Sequence, residues 1–413
     1  VIDKAVIIST GDELTEGRVT DVNSAVIAER LSALGVDIAA ILKVGDDRTR
    51  LHWALGQGQE LSDLIIGTGG LGPTANDLTA EVVAEFLGRK LHRDEDVARS
   101  LLRRFEARDL SGSVNNLKQA RFPEGAVVIS NVVGTAFGFR IAMDENKSLI
   151  WLSGIPREMV TMLSDTVIPW IVRMRTDAEP VSVYTAKIHG LTESKLADRL
   201  KSLSLSEGTK LSFRDNFPDL SLRLTVKGKR KRAATFESLK SQIKEILAPY
   251  IYAEGDETLE EVVGQLLLVK QKTLALAESC TGGYISHRIT RVPGSSVYYC
   301  GGAVTYSNDA KIRYLGVHPH TLQEHGAVSR ETALEMSAGI RERLTTSIGV
   351  SVTGIAGPSG GTAQKPVGTV WISIAGNDLH EARHFLFYGD RERVILGTSQ
   401  AALDWLRMTL RDS

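Results

Sequence analysis

The sequence has little cysteine: two residues in 413, Cys280 and Cys300. That excludes a disulfide framework and suits a reducing compartment. It has no run of about 18 apolar residues, so no membrane-spanning helix is expected. The first apolar run, Ala5 to Ser9, is short and lacks a basic lead, so no signal peptide is read there and a cytoplasmic location is expected. Net charge is almost nil, −1 in formal terms, which removes any overall pull toward nucleic acid or anionic lipid. Internal repeats and low-complexity segments are missing too. What is present is enough apolar residue, 42%, for sizeable cores, in a chain too long for one ordinary core. Two or three domains are the starting expectation.

The first 66 residues alternate strand and helix patterns. Ala5 to Ser9 is a strand-like run. Ser24 to Leu34 puts Val26, Ile27, Leu31 and Leu34 on one face and stops at Gly35. Val36 to Val44 reads as a second strand, Arg48 to Leu61 as a second helix, and Asp63 to Gly67 as a third, doubly buried strand. This βαβαβ order predicts a parallel sheet with helices on both sides. Three more strands are expected between Ala126 and Leu152, then a closing helix from Arg157 to Met174. The polar segment Arg175 to Pro180 marks a boundary. Residues 181–253 read strand, helix, strand, strand, helix, strand, a small α+β module of split-βαβ type. A second polar junction, Glu254 to Glu257, opens the last domain, with helices at Leu259 to Gln271 and Glu392 to Thr409 and four strands between them. The expected fold is α/β multidomain: a three-layer α/β domain over 1–175, an α+β module over 176–254 and an α/β domain over 255–413.

Three segments of the last domain carry candidate chemistry. Ala277-Glu278-Ser279-Cys280-Thr281-Gly282-Gly283 follows a strand and precedes a helix. Such a turn exposes a side chain at the carboxyl end of a sheet beside free backbone N–H groups, which suits an oxyanion or a phosphate. A serine there is a candidate acyl-transfer nucleophile, and equally an ordinary helix cap. Cys280 beside it is intrinsically the better nucleophile. No histidine adjoins Ser279 except His287, on the following helix. Lys311, in Tyr306-Ser307-Asn308-Asp309-Ala310-Lys311, can serve as base if burial strips its proton; otherwise it is a solvated helix lysine. The third segment, Ser351 to Gly361, holds four glycines and a proline and reads either as a loop that approaches a phosphate or ribose or as a tight surface turn.

These segments, with His325 to Ser329, Lys365 to Trp371 and Gly389-Asp390-Arg391, closely resemble the C-terminal domain of the CinA family, the PncC-type nicotinamide-nucleotide amidase. The resemblance implies hydrolysis of nicotinamide mononucleotide to nicotinic acid mononucleotide and ammonia. It places the family's serine and lysine on Ser279 and Lys311, with Tyr306 of the same motif as a third catalytic residue expected to help in proton transfer. Substrate contacts are expected from Thr281, Gly282, Gly283, Thr353, Gly354, Gly357 and Arg391, the last on the 5′-phosphate. The amidase is expected to need no cofactor. A homodimer is also implied.

In the N-terminal domain, Thr68 to Thr79 is a glycine loop after the third strand, and Gly11-Asp12-Glu13-Leu14 follows the first. Open α/β sheets bind ligands at such ends. Asp12, Glu13, Gly70, Thr74, Asn76 and Asp77 form the candidate metal and pyrophosphate set. With Leu152 to Met159 these motifs resemble the molybdopterin-binding (MoCF-type) domain, which in CinA proteins implies ADP-ribose cleavage with Mg²⁺, Mn²⁺ or Co²⁺. The family usually has two aspartates where this chain has Asn76-Asp77, so weaker metal binding is expected. The middle module resembles the KH-type domain. Its basic run, Lys227 to Arg232, could touch phosphates, but no Gly-x-x-Gly clamp accompanies it, and nucleic-acid binding stands as the rival function.

Overall fold

The computed structural model describes residues 2–106, 114–175, 181–228 and 231–412. The chain forms two compact units, residues 1–181 with 227–229, and residues 182–226 with 230–413.

The first unit is built on a six-stranded sheet in the order Asp37–Val44, Lys4–Thr10, Leu64–Thr68, Ser148–Leu152, Gly138–Ala142, Val127–Ile129. The first four strands are parallel and the last two antiparallel. Strand alternation explains the layering. Val6, Ile8, Ile65, Leu149 and Trp151 join one buried cluster, whereas Ala5, Ile7, Leu64, Ile66, Ile150 and Leu152 join another. Both faces therefore need cover, and helices Arg48–Leu61 and Val22–Ala33 supply it on opposite sides. Trp151 is fully buried, donates from its ring nitrogen to Gly69 O at 2.8 Å, and lies where a side chain on Gly67 would stand. The closing helix runs from Pro156 to Met174 with one π turn, Leu163–Val167. Sequence patterning missed the helix Glu95–Glu106 and the small ribbon Leu91–Arg93 with Arg121–Pro123.

In the second unit the middle module has the strand order Thr209–Asn216, Asp219–Lys227, Val181–Ile188, Ile251–Glu254, with helices Glu193–Arg199 and Lys231–Leu247. Alternate residues of Asp219–Lys227, namely Leu220, Leu222, Leu224 and Val226, face its core. The last domain has a five-stranded sheet: Tyr299–Val304, Leu274–Glu278, Ile348–Gly354, Thr369–Ala375, His380–Leu386. The first three are parallel and the last two antiparallel. Leu274 and Leu276 pack toward helices Leu259–Val269 and Arg391–Asp412, while Ala275 and Ala277 pack toward helix Arg330–Arg343. The edge strand His380–Leu386 and the helix Arg330–Arg343 were not anticipated.

Among the described residues no helix is long and apolar enough to cross a membrane.

Candidate functional site

The loops that leave the parallel strands Leu274–Glu278, Tyr299–Val304 and Ile348–Gly354 share one sheet edge, because Glu278 is in register with both Val304 and Val352. Ligands bind at such carboxyl ends. Ser279 leaves the central strand, and its N–H donates to Val352 O at 3.1 Å. Lys311 lies on the helix Asn308–Leu315, which Ser307 caps by accepting from Ala310 N.

These two side chains meet. Lys311 Nζ lies 3.1 Å from Ser279 Oγ, 2.7 Å from Thr305 O and 3.4 Å from Tyr306 O. Lys311 is 1% exposed and Ser279 7%. Burial lowers the lysine from its ordinary 10.5 to about 8, since a desolvated ammonium is costly. A neutral amine has two N–H groups and one lone pair. Two carbonyls take the N–H groups, and the lone pair is left for the serine hydroxyl. Cys280 is the opposite case. Burial pushes its thiol up to about 12, so it stays protonated and is a poor nucleophile. His287 is exposed, with its ring 6.2 Å from that of Tyr284, and makes no hydrogen bond to Ser279.

The turn after Ser279 is held by a residue that the sequence reading passed over. Glu278 is 1% exposed. Its Oε2 accepts from Thr281 Oγ1 (2.7 Å), Gly283 N (3.1 Å) and Ile285 N (3.1 Å), and its Oε1 accepts from Ser286 N (2.8 Å) and Ser286 Oγ (2.6 Å). The carboxylate thus caps the helix Tyr284–Thr290 from the strand before it. The signal available in the sequence was an acid closing an otherwise apolar strand, Leu-Ala-Leu-Ala-Glu, directly before a helix start. The capping also consumes a donor: Gly283 N–H goes to Glu278, and Gly282 N–H goes to Ser279 O at 3.1 Å. The amides of Cys280 and Thr281 have no partner on another described residue.

Arg391 begins the final helix, where Asp390 caps by accepting from Arg393 N. Its guanidinium donates to Gly357 O and to Tyr306 Oη, both at 2.8 Å. It ties the glycine loop to the Tyr306 segment and keeps further N–H donors for a ligand. Tyr306 is therefore joined to Arg391 by its ring and to Lys311 only by its carbonyl. Thr353 is buried at the strand end and donates its hydroxyl to Ala327 O at 2.7 Å. Gly354 packs against Thr369 O and Val370, and Gly357 adopts φ +85° against Val367, where a side chain would collide.

In the first unit a cavity of about 590 Å³ opens at the carboxyl ends of Lys4–Thr10 and Leu64–Thr68. Glu13, Gly70, Thr74 and Asp77 line it, as do Asn23, Asp46 and Glu158, which the sequence reading did not single out. Asp12 and Asn76 are exposed and are not part of its wall. Asp77 accepts from Thr74 N and Oγ1 at 2.8 and 2.6 Å, closing the glycine loop on itself. Asp46 titrates above the ordinary carboxylate range because it is partly buried, with the Asp12 and Glu13 carboxylates adding to the effect. Among the described residues no three His, Cys, Asp or Glu side chains converge to hold one ion. In the basic run, Lys229 and Arg230 lie outside the described residues.

Family models match three stretches: residues 6–173 a probable molybdopterin binding domain, 185–253 a damage-inducible protein CinA KH domain, and 256–410 the CinA C-terminal domain. A protein of Halothermothrix orenii named for competence-damage induction is 41% identical over 414 residues, 99% of each chain. The chain belongs to the CinA family. A CinA-like protein of Syntrophus aciditrophicus is 43% identical over 409 residues, 98% of this chain and 97% of its own. The crystal structure of a competence/damage inducible protein from Agrobacterium tumefaciens is 40% identical and covers 38% of this chain and 97% of that one, with a TM-score of 0.35. The three domains of this CinA chain are MoCF-like, KH-type and CinA C-terminal in that order, and Ser279, Lys311 and Arg391 all fall in the third match.

Proposed function

We propose that the C-terminal domain hydrolyses the carboxamide of nicotinamide mononucleotide, giving nicotinic acid mononucleotide and ammonia. The observation that carries this reading is the buried lysine 3.1 Å from the serine hydroxyl, with its pKa lowered toward neutrality. Ser279 Oγ attacks the amide carbon while Lys311 Nζ takes its proton. The amides of Cys280 and Thr281 receive the oxyanion in place of the wider Thr281 to Gly283 set. The tetrahedral adduct collapses, the Lys311 ammonium returns the proton to the leaving nitrogen, and ammonia departs. Water then attacks the acyl-serine with Lys311 again as base, releasing the carboxylic acid. Arg391 anchors the 5′-phosphate with the donors left free by Gly357 and Tyr306. The test is ammonia release on adding nicotinamide mononucleotide to the intact chain, with the dephosphorylated riboside alongside. No ammonia from the mononucleotide sinks the reading, and equal efficiency on both substrates sinks the role of Arg391.

Glu278 positions the nucleophile in this scheme. In Glu278→Gln one acceptor oxygen becomes a donor and confronts either Gly283 and Ile285 N–H or Ser286 N–H. Each unsatisfied buried donor costs about 1–3 kcal/mol. The turn is expected to shift, and kcat to fall at least about tenfold, since serine and lysine must stay in contact distance. Unchanged kcat in a folded Glu278→Gln variant removes this role.

The metal and pyrophosphate reading of the first unit fits less well. Its acids do not assemble a cage, and Asn76 stands apart from the cavity. Cleavage of ADP-ribose in Mg²⁺, Mn²⁺ or Co²⁺ is expected to be weak or absent. Rapid metal-dependent release of AMP by the intact chain overturns that expectation.

A further inference from the structure

The final helix serves two parts of the second unit at once. Its first residue, Arg391, reaches into the candidate site. One face of its next turns, at Arg393, Gly397 and Gln400, is occupied by the middle module. The spacing 393, 397, 400 places these positions on a single stripe. The occupant is the tip of the hairpin between Thr209–Asn216 and Asp219–Lys227. The Arg393 guanidinium lies over the Phe217 ring, 4.2 Å from its centroid. A Cβ on Gly397 would stand 2.8 Å from Phe387 Cδ1, so the position needs a glycine for Phe387, and the Phe217 ring edge lies against the same spot, 3.4 Å from that Cβ. Gln400, fully buried, donates from Nε2 to Asp219 Oδ1 at 2.9 Å, and Tyr252 Oη donates to the same oxygen at 2.5 Å.

Glycine inside a helix weakens it relative to alanine, so Gly397 makes sense as room for Phe387, and it leaves a flat spot against which the Phe217 ring rests. The Arg393 stem also packs against Gly389, where a Cβ would lie 2.7 Å from its Cδ. Gly389, Asp390 and Arg391 are the segment that delivers the guanidinium to Gly357 and Tyr306. Whatever fixes Arg393 therefore fixes the approach of Arg391. An isolated first helical turn frays easily, since its N–H groups lack intrahelical partners. Here Asp390 caps it from one side and the Phe217 tip holds it from the other.

We propose that the KH-type module is a built-in clamp on the substrate-anchoring helix: Phe217, seated on Arg393 and Gly397, positions Arg391 for the substrate phosphate. This rests on the amidase reading for its substrate and on the contacts above for its geometry. Phe217 and Arg393 are positioning residues, since neither touches the reacting atoms. Their removal loosens phosphate anchoring and leaves the Ser279–Lys311 pair in place.

The experiment uses the full chain, with Phe217→Ala, Arg393→Ala and the double variant, assayed on nicotinamide mononucleotide. Phe217→Ala is expected to raise KM about two- to fivefold, the fold-change that corresponds to a cation–π contact at a half-exposed site. kcat stays near the parent value, and the double variant is no worse than the worse single variant, because the two residues act as one contact. Unchanged KM, effects that simply multiply, or a fall in kcat alone overturns the clamp. Phe217→Leu replaces Phe217→Ala should the latter not fold, since it keeps an apolar contact and lacks the π face. A parent chain that releases no ammonia is a failure of the amidase reading. The clamp is then decided by amide hydrogen exchange over residues 391–397, which must accelerate in Phe217→Ala whatever the substrate, and unaltered exchange refutes it.

Discussion

Ser279→Ala is expected to abolish ammonia release almost completely, with kcat falling on the order of 10⁶, the loss that follows removal of a serine nucleophile in the protease case. The variant should fold normally. Lys311 Nζ keeps the Thr305 and Tyr306 carbonyls after the hydroxyl is gone, so no buried ammonium is stranded. The strand before it and the Glu278 cap do not involve the serine side chain. Cys280→Ala is the matched control. Its thiol is buried and held up to about 12, so almost none is thiolate near neutrality and its loss should leave turnover close to the parent's. Rates from stopped assays on the two variants, with thermal melts to show equal folding, decide the matter. Near-normal turnover in Ser279→Ala together with loss in Cys280→Ala assigns the nucleophile to the cysteine.

Why Ser279 and Lys311 could be read from the sequence, and Glu278 and Phe217 could not, is a matter of range. Ser279 sits in the turn directly after one strand and Lys311 on the short helix that follows the loop after Tyr299–Val304, and a parallel sheet collects such segments at one edge. In the first unit the short apolar runs likewise predict a parallel sheet with a doubly buried third strand, read at Asp63 to Gly67 and found at Leu64–Thr68. Glu278 acts through backbone groups of a helix that folds back over it, and the letters of the turn do not reveal which amide takes which acceptor. Thr281 to Gly283 looked like a run of free donors, yet the amides of Gly282 and Gly283 are committed within the turn. The Phe217 and Arg393 pairing joins positions from different modules, and a residue beside a proline in a hairpin turn carries no signal of its partner. Helix Arg330–Arg343 escaped because its buried face mixes Met336 and Ile340 with the polar Thr332 and Ser337, which dilutes the apolar stripe, and strand His380–Leu386 because most of it is exposed.

Lys311 carries the second large effect, and its pH dependence is the sharper test. Burial brings its pKa to about 8. At pH 7 roughly one lysine in ten is then neutral, against about one in three thousand at its ordinary value. A general base must be unprotonated, so kcat/KM is expected to rise with pH and level off above about 8. The direction is fixed: a lowered lysine pKa moves the rise toward neutrality, and an unshifted one would leave the rate climbing past pH 10. Lys311→Ala should lose at least about 10²–10⁴ in kcat, the usual worth of a general base, and more if serine and lysine act as a unit. Lys311→Arg should be nearly as damaging, because a guanidinium stays protonated and cannot accept the serine proton. Bulk alone could also disable arginine in a site where Lys311 is 1% exposed. Added methylamine separates the two causes: it should restore part of the activity of Lys311→Ala, in proportion to the neutral amine present at each pH. A lysine that only binds phosphate or supports the fold behaves otherwise. Arginine would then recover much of the rate, KM would carry the defect, and the pH profile would not follow an amine. That outcome moves the search for the base to Tyr306, whose hydroxyl now rests on Arg391, and to His287.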